Sequence, residues 1–321
     1  MYHSLADAIH SVFGNDAEIL KTDRVHGGDI NDAYGITLST GEKVFAKTNS
    51  IGNWKFFITE SHGLLALRDI RAIGVPKVLG AGMDEQKGIS FLLLEYVESA
   101  PPARNYWETF GHQLAGLHKA VPLRENEPYW SNASQKRQGN SSPFGMNGAD
   151  ELRSFWYGFL EDNFIGASPQ RNRPMEKWID FYRECRLLPQ IKMAGSRLDS
   201  RMRKKLAFLL DHLDSYLREP EFPSLLHGDL WSGNVLRGPD GKAWILDPAV
   251  YVGDFETDLA MTQLFGSFPS TFYSAYHEVN PIDKGFGERK DLYHLYHLLN
   301  HLNLFGGMYL GSVANIVNRY V

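Results

Sequence analysis

His227-Gly228-Asp229-Leu230-Trp231-Ser232-Gly233-Asn234 is the densest polar motif in the chain, and Lys242-Ala243-Trp244-Ile245-Leu246-Asp247 follows close behind it. Asp229 precedes Asn234 by five residues. A short loop carrying a carboxylate and an amide at that separation fixes the two relative to each other. The carboxylate can accept or orient a hydroxyl proton, and the amide oxygen can reach a hard cation nearby. Asp, Gly and Asn also favour ordinary turns, which is the competing reading of the first motif taken alone. The second stretch weighs against it. Eighteen residues after Asp229, the strand-like run Ala243 to Leu246 ends on Asp247-Pro248, so another carboxylate stands at a strand end just after the loop.

A base Asp, an Asn five residues on and a later strand-end Asp match the spacing of the kinase catalytic loop. Phosphoryl transfer asks little covalent chemistry of a protein, so this positioning is most of the catalysis. On that reading Asp229 is the catalytic base, and Asn234 and Asp247 are ligands of Mg2+ on the phosphates of ATP. Asp-Pro stands where protein kinases have Asp-Phe-Gly, and no Ala-Pro-Glu follows, which points to a small-molecule acceptor.

The expected cofactor-binding groups lie upstream. Lys47 sits mid-strand in Val44-Phe45-Ala46-Lys47-Thr48, like the phosphate-binding lysine of the third kinase strand, and Glu60 follows thirteen residues later as its partner. Alone, each reads as an exposed side chain; their order ahead of Asp229 and Asp247 favours the functional reading. Gly27 and Gly28 lie in the loop from His26 to Asp32 and would cover phosphates with backbone N–H groups, although the loop is not GxGxxG and a plain hairpin reads equally well. Glu95 and Val97 end the fifth strand, where backbone groups would hydrogen-bond adenine.

Periodicity predicts helices over 5–13 and 56–73, strands over 18–25, 33–38, 43–48, 78–81 and 90–97, then helices over 107–120, 178–189, 200–217 and 291–304. Residues 122–154 are rich in Asn, Ser, Gly and Pro and read as a long loop. The expectation is an α+β, protein-kinase-like, two-lobed fold. A small five-stranded antiparallel N-lobe (1–97) binds nucleotide, and a larger, mainly helical C-lobe (98–321) holds the catalytic loop, magnesium and acceptor. The cleft between lobes is the expected ligand site.

Bulk properties agree with this class. At 321 residues two lobes are expected. The net charge of -5 gives no reason to expect a nucleic-acid partner. No apolar run reaches bilayer length, and Asp7 interrupts any signal-like stretch, so neither membrane nor export is expected. The single cysteine, Cys185, excludes an intrachain disulfide, is read as buried packing, and is compatible with a cytoplasmic home. Gly238 to Lys242 is too short for a Walker loop and reads as a turn. His294, His297 and His301 share helical spacing and read as one helix face that could line the substrate pocket, not as a metal site. Asp254 and Asp258 read as supports of the catalytic loop and of the following helix.

Several stretches are specific enough to carry a resemblance. Leu225–Leu236 (LLHGDLWSGNVL), Phe265–Glu278 (FGSFPSTFYSAYHE), Tyr296–Ser312 (YHLLNHLNLFGGMYLGS), Gly27–Tyr34 (GGDINDAY) and Asp162–Gln170 (DNFIGASPQ) resemble the fructosamine kinase (ketosamine-3-kinase) family, itself similar to aminoglycoside and choline kinases. The resemblance spans nearly the whole chain. It implies ATP-dependent phosphorylation of the sugar 3-hydroxyl of ribulosamine or fructosamine adducts, on free amines or glycated lysines, which leads to deglycation. It implies that Trp231 contacts the sugar, with Asn300 and His301 in or beside the substrate pocket. Some family members carry a redox-sensitive cysteine in the phosphate loop; Asp29 stands there, so that control is expected to be absent. Segment 122–154 is longer than the family pattern. A kinase of the same fold acting on an aminoglycoside, choline or another amino alcohol is the alternative, and a pseudokinase scaffold is a third reading that intact Lys47, Asp229, Asn234 and Asp247 oppose.

Overall fold

The computed structural model describes residues 1–25, 30–120 and 157–321. Gly27, Gly28, Asp29 and the segment 122–154 lie outside the described residues. The N-terminal part is built on β1 (Ile19–Val25), β2 (Asp32–Leu38), β3 (Lys43–Ser50), β4 (Val78–Asp84) and β5 (Ile89–Glu95). They form one antiparallel sheet in the order β1-β2-β3-β5-β4. Side-chain alternation decides which face each residue takes. Val44 and Ala46 of β3, with Phe91 and Leu93 of β5, pack with Leu5, Ala8 and Ile9 of α1 (Leu5–Phe13). Leu92 and Leu94 turn the other way, onto Phe57, Leu64 and Leu67 of α2 (Trp54–Ile70). Lys47 pairs with Leu92 across β3 and β5, so the same alternation aims it at α2. The helix expected over 56–73 stops earlier because Arg71 takes a left-handed conformation (φ 60°) and caps it on Arg68.

The remainder is mainly helical. α3 (Tyr106–Lys119) lies so close to a later helix that a Cβ on Gly111 would sit 2.3 Å from the carbonyl oxygen of Phe272. The helix expected over 178–189 is α4 (Trp178–Phe181), a π turn over Tyr182–Leu187, and α5 (Leu188–Ala194). Pro189 therefore begins a segment instead of ending one, as its missing N–H permits in a first turn. Cys185 sits in the π turn, 3% exposed. The helix expected over 200–217 is α6 (Ser200–Asp211), capped by the Asp199 side chain, and a separate turn follows it. Then come α7 (Glu256–Leu264), α8 (Ser270–Val279), α9 (Phe286–Phe305) and α10 (Leu310–Tyr320). Short strands punctuate these helices: β6 (Asn163–Ile165) with β7 (Ser168–Gln170), β8 (Ser224–Leu226) with β11 (Tyr251–Gly253), and β9 (Val235–Arg237) with β10 (Ala243–Ile245).

One hydrophobic core runs from α2 and β5 through α3 into α9 and α10. A backbone contact also ties the two parts: Ile245 N–H donates to the Gly74 carbonyl at 2.9 Å. No helix among the described residues is long and apolar enough to cross a membrane.

Candidate active site

A cavity of about 840 Å³ lies between the β-sheet with α2 and the helical part, and it is lined by Lys47, Glu60, Asp229, Asn234 and Asp247 together. The loop after β8 is held from beneath. Asp258, 1% exposed on α7, accepts from the N–H of His227 at 2.7 Å and of Gly228 at 2.9 Å. Its carboxylate also faces His118 Nε2 at 3.2 Å, and His118 Nδ1 faces the Tyr276 hydroxyl at 2.8 Å. Burial alone would raise the Asp258 carboxyl, but these donors outweigh it and hold the group below the usual carboxylate range. Gly228 has φ 81°, and a Cβ there would lie 2.1 Å from the Ala249 carbonyl, so only glycine fits the turn into Asp229. His227 is fully buried, which pushes its pKa down. One neutral tautomer satisfies both ring nitrogens: Nε2–H donates to Leu246 at 2.8 Å and Nδ1 accepts the Asp229 N–H at 3.3 Å. Asp254 caps α7 by accepting from Glu256 N–H at 3.0 Å.

Asp229 is half-buried on the cavity floor, and burial lifts its carboxyl to about 7. Asn234 Nδ2 donates to the Asp229 carbonyl at 2.8 Å and to its carboxylate at 3.2 Å, so the amide oxygen of Asn234 is left to serve a ligand. Asp247 follows β10 with φ 54°, a left-handed turn off the strand end, and its side chain is 49% exposed. Lys47 Nζ meets Glu60 at 2.6 Å and Asp247 at 2.7 Å. Burial works against the charge on Lys47, but the two carboxylates prevail and keep its pKa above the ordinary lysine value. Burial pushes Glu60 up, against the pull of Lys47. α2 is docked on the helical part, with Phe56 and Phe164 ring centroids 4.1 Å apart and His62 in contact with Glu161.

Glu95 and Val97 also line the cavity. The N–H of Glu95 donates to Lys77 at 2.9 Å, so only its carbonyl side can serve a ligand, whereas the Val97 N–H has no partner among the described residues. Trp231 is 36% exposed and meets Phe265 edge-on at 6.2 Å. Of the three histidines on α9, only His301 lines the cavity; His294 bonds the Ala260 carbonyl and His297 is buried. Asn300 lines the cavity from a buried position and faces Gln190 at 3.3 Å. Among the described residues no cluster of three or more His, Cys, Asp or Glu could hold a metal. Asn234 and Asp247 nonetheless present side-chain oxygens to the cavity and could hold a hard cation such as Mg2+ if phosphates provided the rest.

Sequence reading missed a buried polar support behind Asp247. Asn163 Nδ2 donates to Val250 at 2.8 Å and Gln170 Nε2 to Ala249 at 3.0 Å. Asn172 joins them through Asn163 at 2.8 Å, and Arg186 Nη2 donates to Asn172 at 2.8 Å. The sequence marks Asn163 and Gln170 only as part of a family-like stretch and not as supports, because the backbone partners that give them that role are distant in sequence.

A sequence model of the fructosamine kinase family matches residues 1–142 and 145–321. A probable ketoamine kinase of Synechocystis sp. is 38% identical over 321 residues, covering 99% of this chain and 96% of that protein. The chloroplastic protein-ribulosamine 3-kinase of Arabidopsis thaliana is 35% identical over 310 residues, covering 96% of this chain and 85% of that protein. A solved structure from Haemophilus somnus 129PT, provisionally named a fructosamine-3-kinase, matches with a TM-score of 0.80 at 27% identity, covering 100% of this chain and 98% of that one. The α+β, kinase-type architecture and these full-length similarities agree: the chain is a phosphotransferase that belongs to the fructosamine kinase family.

Proposed function

We propose that this enzyme moves the γ-phosphoryl group of ATP to the sugar 3-hydroxyl of ketosamines, the ribulosamine and fructosamine adducts of amines and lysine side chains, and so initiates deglycation. One observation carries the reading. Asp229, tied to Asn234, shares a cavity with a Lys47 that is paired to both Glu60 and Asp247. The names of the relatives, ketoamine kinase and protein-ribulosamine 3-kinase, supply the acceptor class.

Mg2+, when bound, neutralises charge on the phosphates, and Asn234 and Asp247 are the residues to hold it. Lys47, kept charged by its carboxylates, steadies the phosphate oxygens. The Glu95 carbonyl and Val97 N–H hold adenine. Gly27 and Gly28, which precede β2 in sequence, would offer backbone N–H groups to the phosphates. Asp229 orients the acceptor hydroxyl and takes its proton as the new oxygen–phosphorus bond forms and the β–γ bridge breaks to release ADP. Trp231 meets the sugar, with His301 and Asn300 beside it. The 3-phosphorylated adduct then decomposes and frees the amine. In this division residues 1–97 bind nucleotide and 98–321 bind metal and acceptor.

The acidic side chains that line the described cavity are Glu60, Glu95, Asp229 and Asp247. Glu60 and Asp247 pair with Lys47, and Glu95 accepts from Lys77 N–H. Among the described residues nothing else acidic lines the cavity to receive a polycationic aminoglycoside. The test is ATP turnover with magnesium on N-ε-ribulosyl-lysine, N-ε-fructosyl-lysine, choline and kanamycin, with the product located by 31P and 13C NMR. Phosphorylation of the ketosamines at the third carbon, lost in Asp229→Asn with nucleotide binding retained, is the expected result. Turnover of choline or kanamycin alone would replace the acceptor class, and ATP binding without turnover of any compound would reject the kinase reading.

A further inference from the structure

One wall of the cavity is aromatic and uncharged. Phe265 and His301 have ring centroids 4.7 Å apart, and His301 lies 5.4 Å from Phe305 and 5.1 Å from Tyr309. Trp231 ties this wall to the catalytic loop through Phe265. Two large apolar side chains line the cavity yet face water: Phe305 is 46% exposed and Met308 79%. An apolar surface of that kind, continuous with a polar reaction centre, marks a place that an apolar part of a ligand covers. His301 Nδ1–H donates to the His297 carbonyl at 2.8 Å, which leaves the Nε2 lone pair as an acceptor, and burial pushes its pKa down. None of the cavity's acids belongs to this wall.

We propose that Phe265, His301, Phe305, Met308 and Tyr309 form the aglycone subsite of the enzyme. It takes the alkyl chain through which the ketosamine nitrogen is attached, a methylene chain like that of a lysine side chain, and so selects alkylamine adducts over adducts of small hydrophilic amines. The inference rests on the ketosamine reading above. Seating the sugar at Trp231 and Asp229 carries the nitrogen and its substituent toward this wall. A protonated secondary amine is accepted at ring faces without a carboxylate, and His301 Nε2 offers it a hydrogen bond. Methylene groups beyond the nitrogen then cover Phe305 and Met308.

The test is a series of fructosyl adducts of methylamine, propylamine and hexylamine, assayed with the full chain and with Phe305→Ser and Met308→Ser. In the unsubstituted enzyme kcat/KM should rise up to about fourfold per added methylene, the factor that corresponds to about 0.8 kcal/mol per buried CH2. The rise should fall on KM, because the chain is held equally before and during transfer. In the variants the hexyl-to-methyl ratio should drop toward one. Both side chains are substantially exposed, so the variants should melt with the parent, and the series in the parent stands independently of them. A ratio near one in the parent, with ketosamines still turned over, would overturn the subsite alone, as would a steep ratio that survives both substitutions. Failure of every adduct to react would overturn the ketosamine reading and the subsite with it.

Discussion

Replacing Asp258 by alanine tests how the catalytic loop is held. The substitution removes the acceptor of two backbone N–H bonds, at 2.7 and 2.9 Å, and of the His118 contact at 3.2 Å. The site is closed, with Asp258 1% and His118 0% exposed, so water does not replace the carboxylate cheaply. Hydrogen bonds to a charged partner contribute roughly 1.5–3 kcal/mol each. Two such bonds come to about 3–6 kcal/mol, and the orphaned imidazole places the loss in the upper part of that range, about 4–6 kcal/mol. Unfolding entropy near 2.1 cal/mol/K per residue gives about 0.7 kcal/mol/K for this chain, so Tm should fall by about 6–9 °C. Asp258→Asn keeps one acceptor oxygen but turns an NH2 toward a donor, so about half the loss is expected. Because Asp229 follows Gly228 directly, kcat should also fall, by about a hundredfold if the carboxylate drifts by 1 Å, with nucleotide affinity little changed. Calorimetry and steady-state kinetics on the two variants measure both effects. A Tm within 2 °C of the parent, with kcat within about twofold, would refute the account of Asp258 as the anchor of the loop.

Three further predictions concern the same loop. Burial raises Asp229 to about 7 in the folded protein, above its unfolded value of about 4. Activity that needs the ionised carboxylate should therefore decline as pH falls below about 7, and a kcat/KM profile flat down to pH 5 would contradict that. The same shift means that the folded state keeps a proton the unfolded chain has released between about pH 4 and 7, so this group's contribution to stability falls as pH rises through that window. Asp229→Asn should gain Tm relative to the parent at pH 8 and not at pH 4. Gly228→Ala forces a left-handed alanine and a 2.1 Å approach to the Ala249 carbonyl. It should cost on the order of 1–3 kcal/mol from strain at this turn, with a loss of turnover, and an unchanged denaturation midpoint would show that the turn tolerates a side chain.

The groups that the structure gathers around the cavity were legible in the sequence where they sit close together along it or in a fixed order. Asp229, Asn234 and Asp247 fall within one loop and the next strand, so their spacing already describes a geometry. Lys47 and Glu60 were readable because strand alternation and the following helix bring them together, and they meet at 2.6 Å. The order of elements likewise pointed to the fold class, since five strand-like runs and a helix followed by helical periodicity, with the kinase-like motif spacing, permit few architectures. Element ends were less legible. Arg71 ended a helix by a backbone conformation that its side chain does not advertise, and Pro189 began a segment where a stop was expected. Asp254 and Asp258 were read as supports of the site, but the partners that complete the support lay beyond sequence reading. His118 reaches Asp258 across 140 residues, Asn163 reaches Val250 across 87 and Gln170 reaches Ala249 across 79. A buried polar side chain looks like any surface one until its partner is known, and only the packing of helices and hairpins around a shared core supplies that partner. The aromatic wall is of the same kind: Phe265, His301 and Tyr309 come from separate turns, and tertiary structure alone decided that they face one cavity.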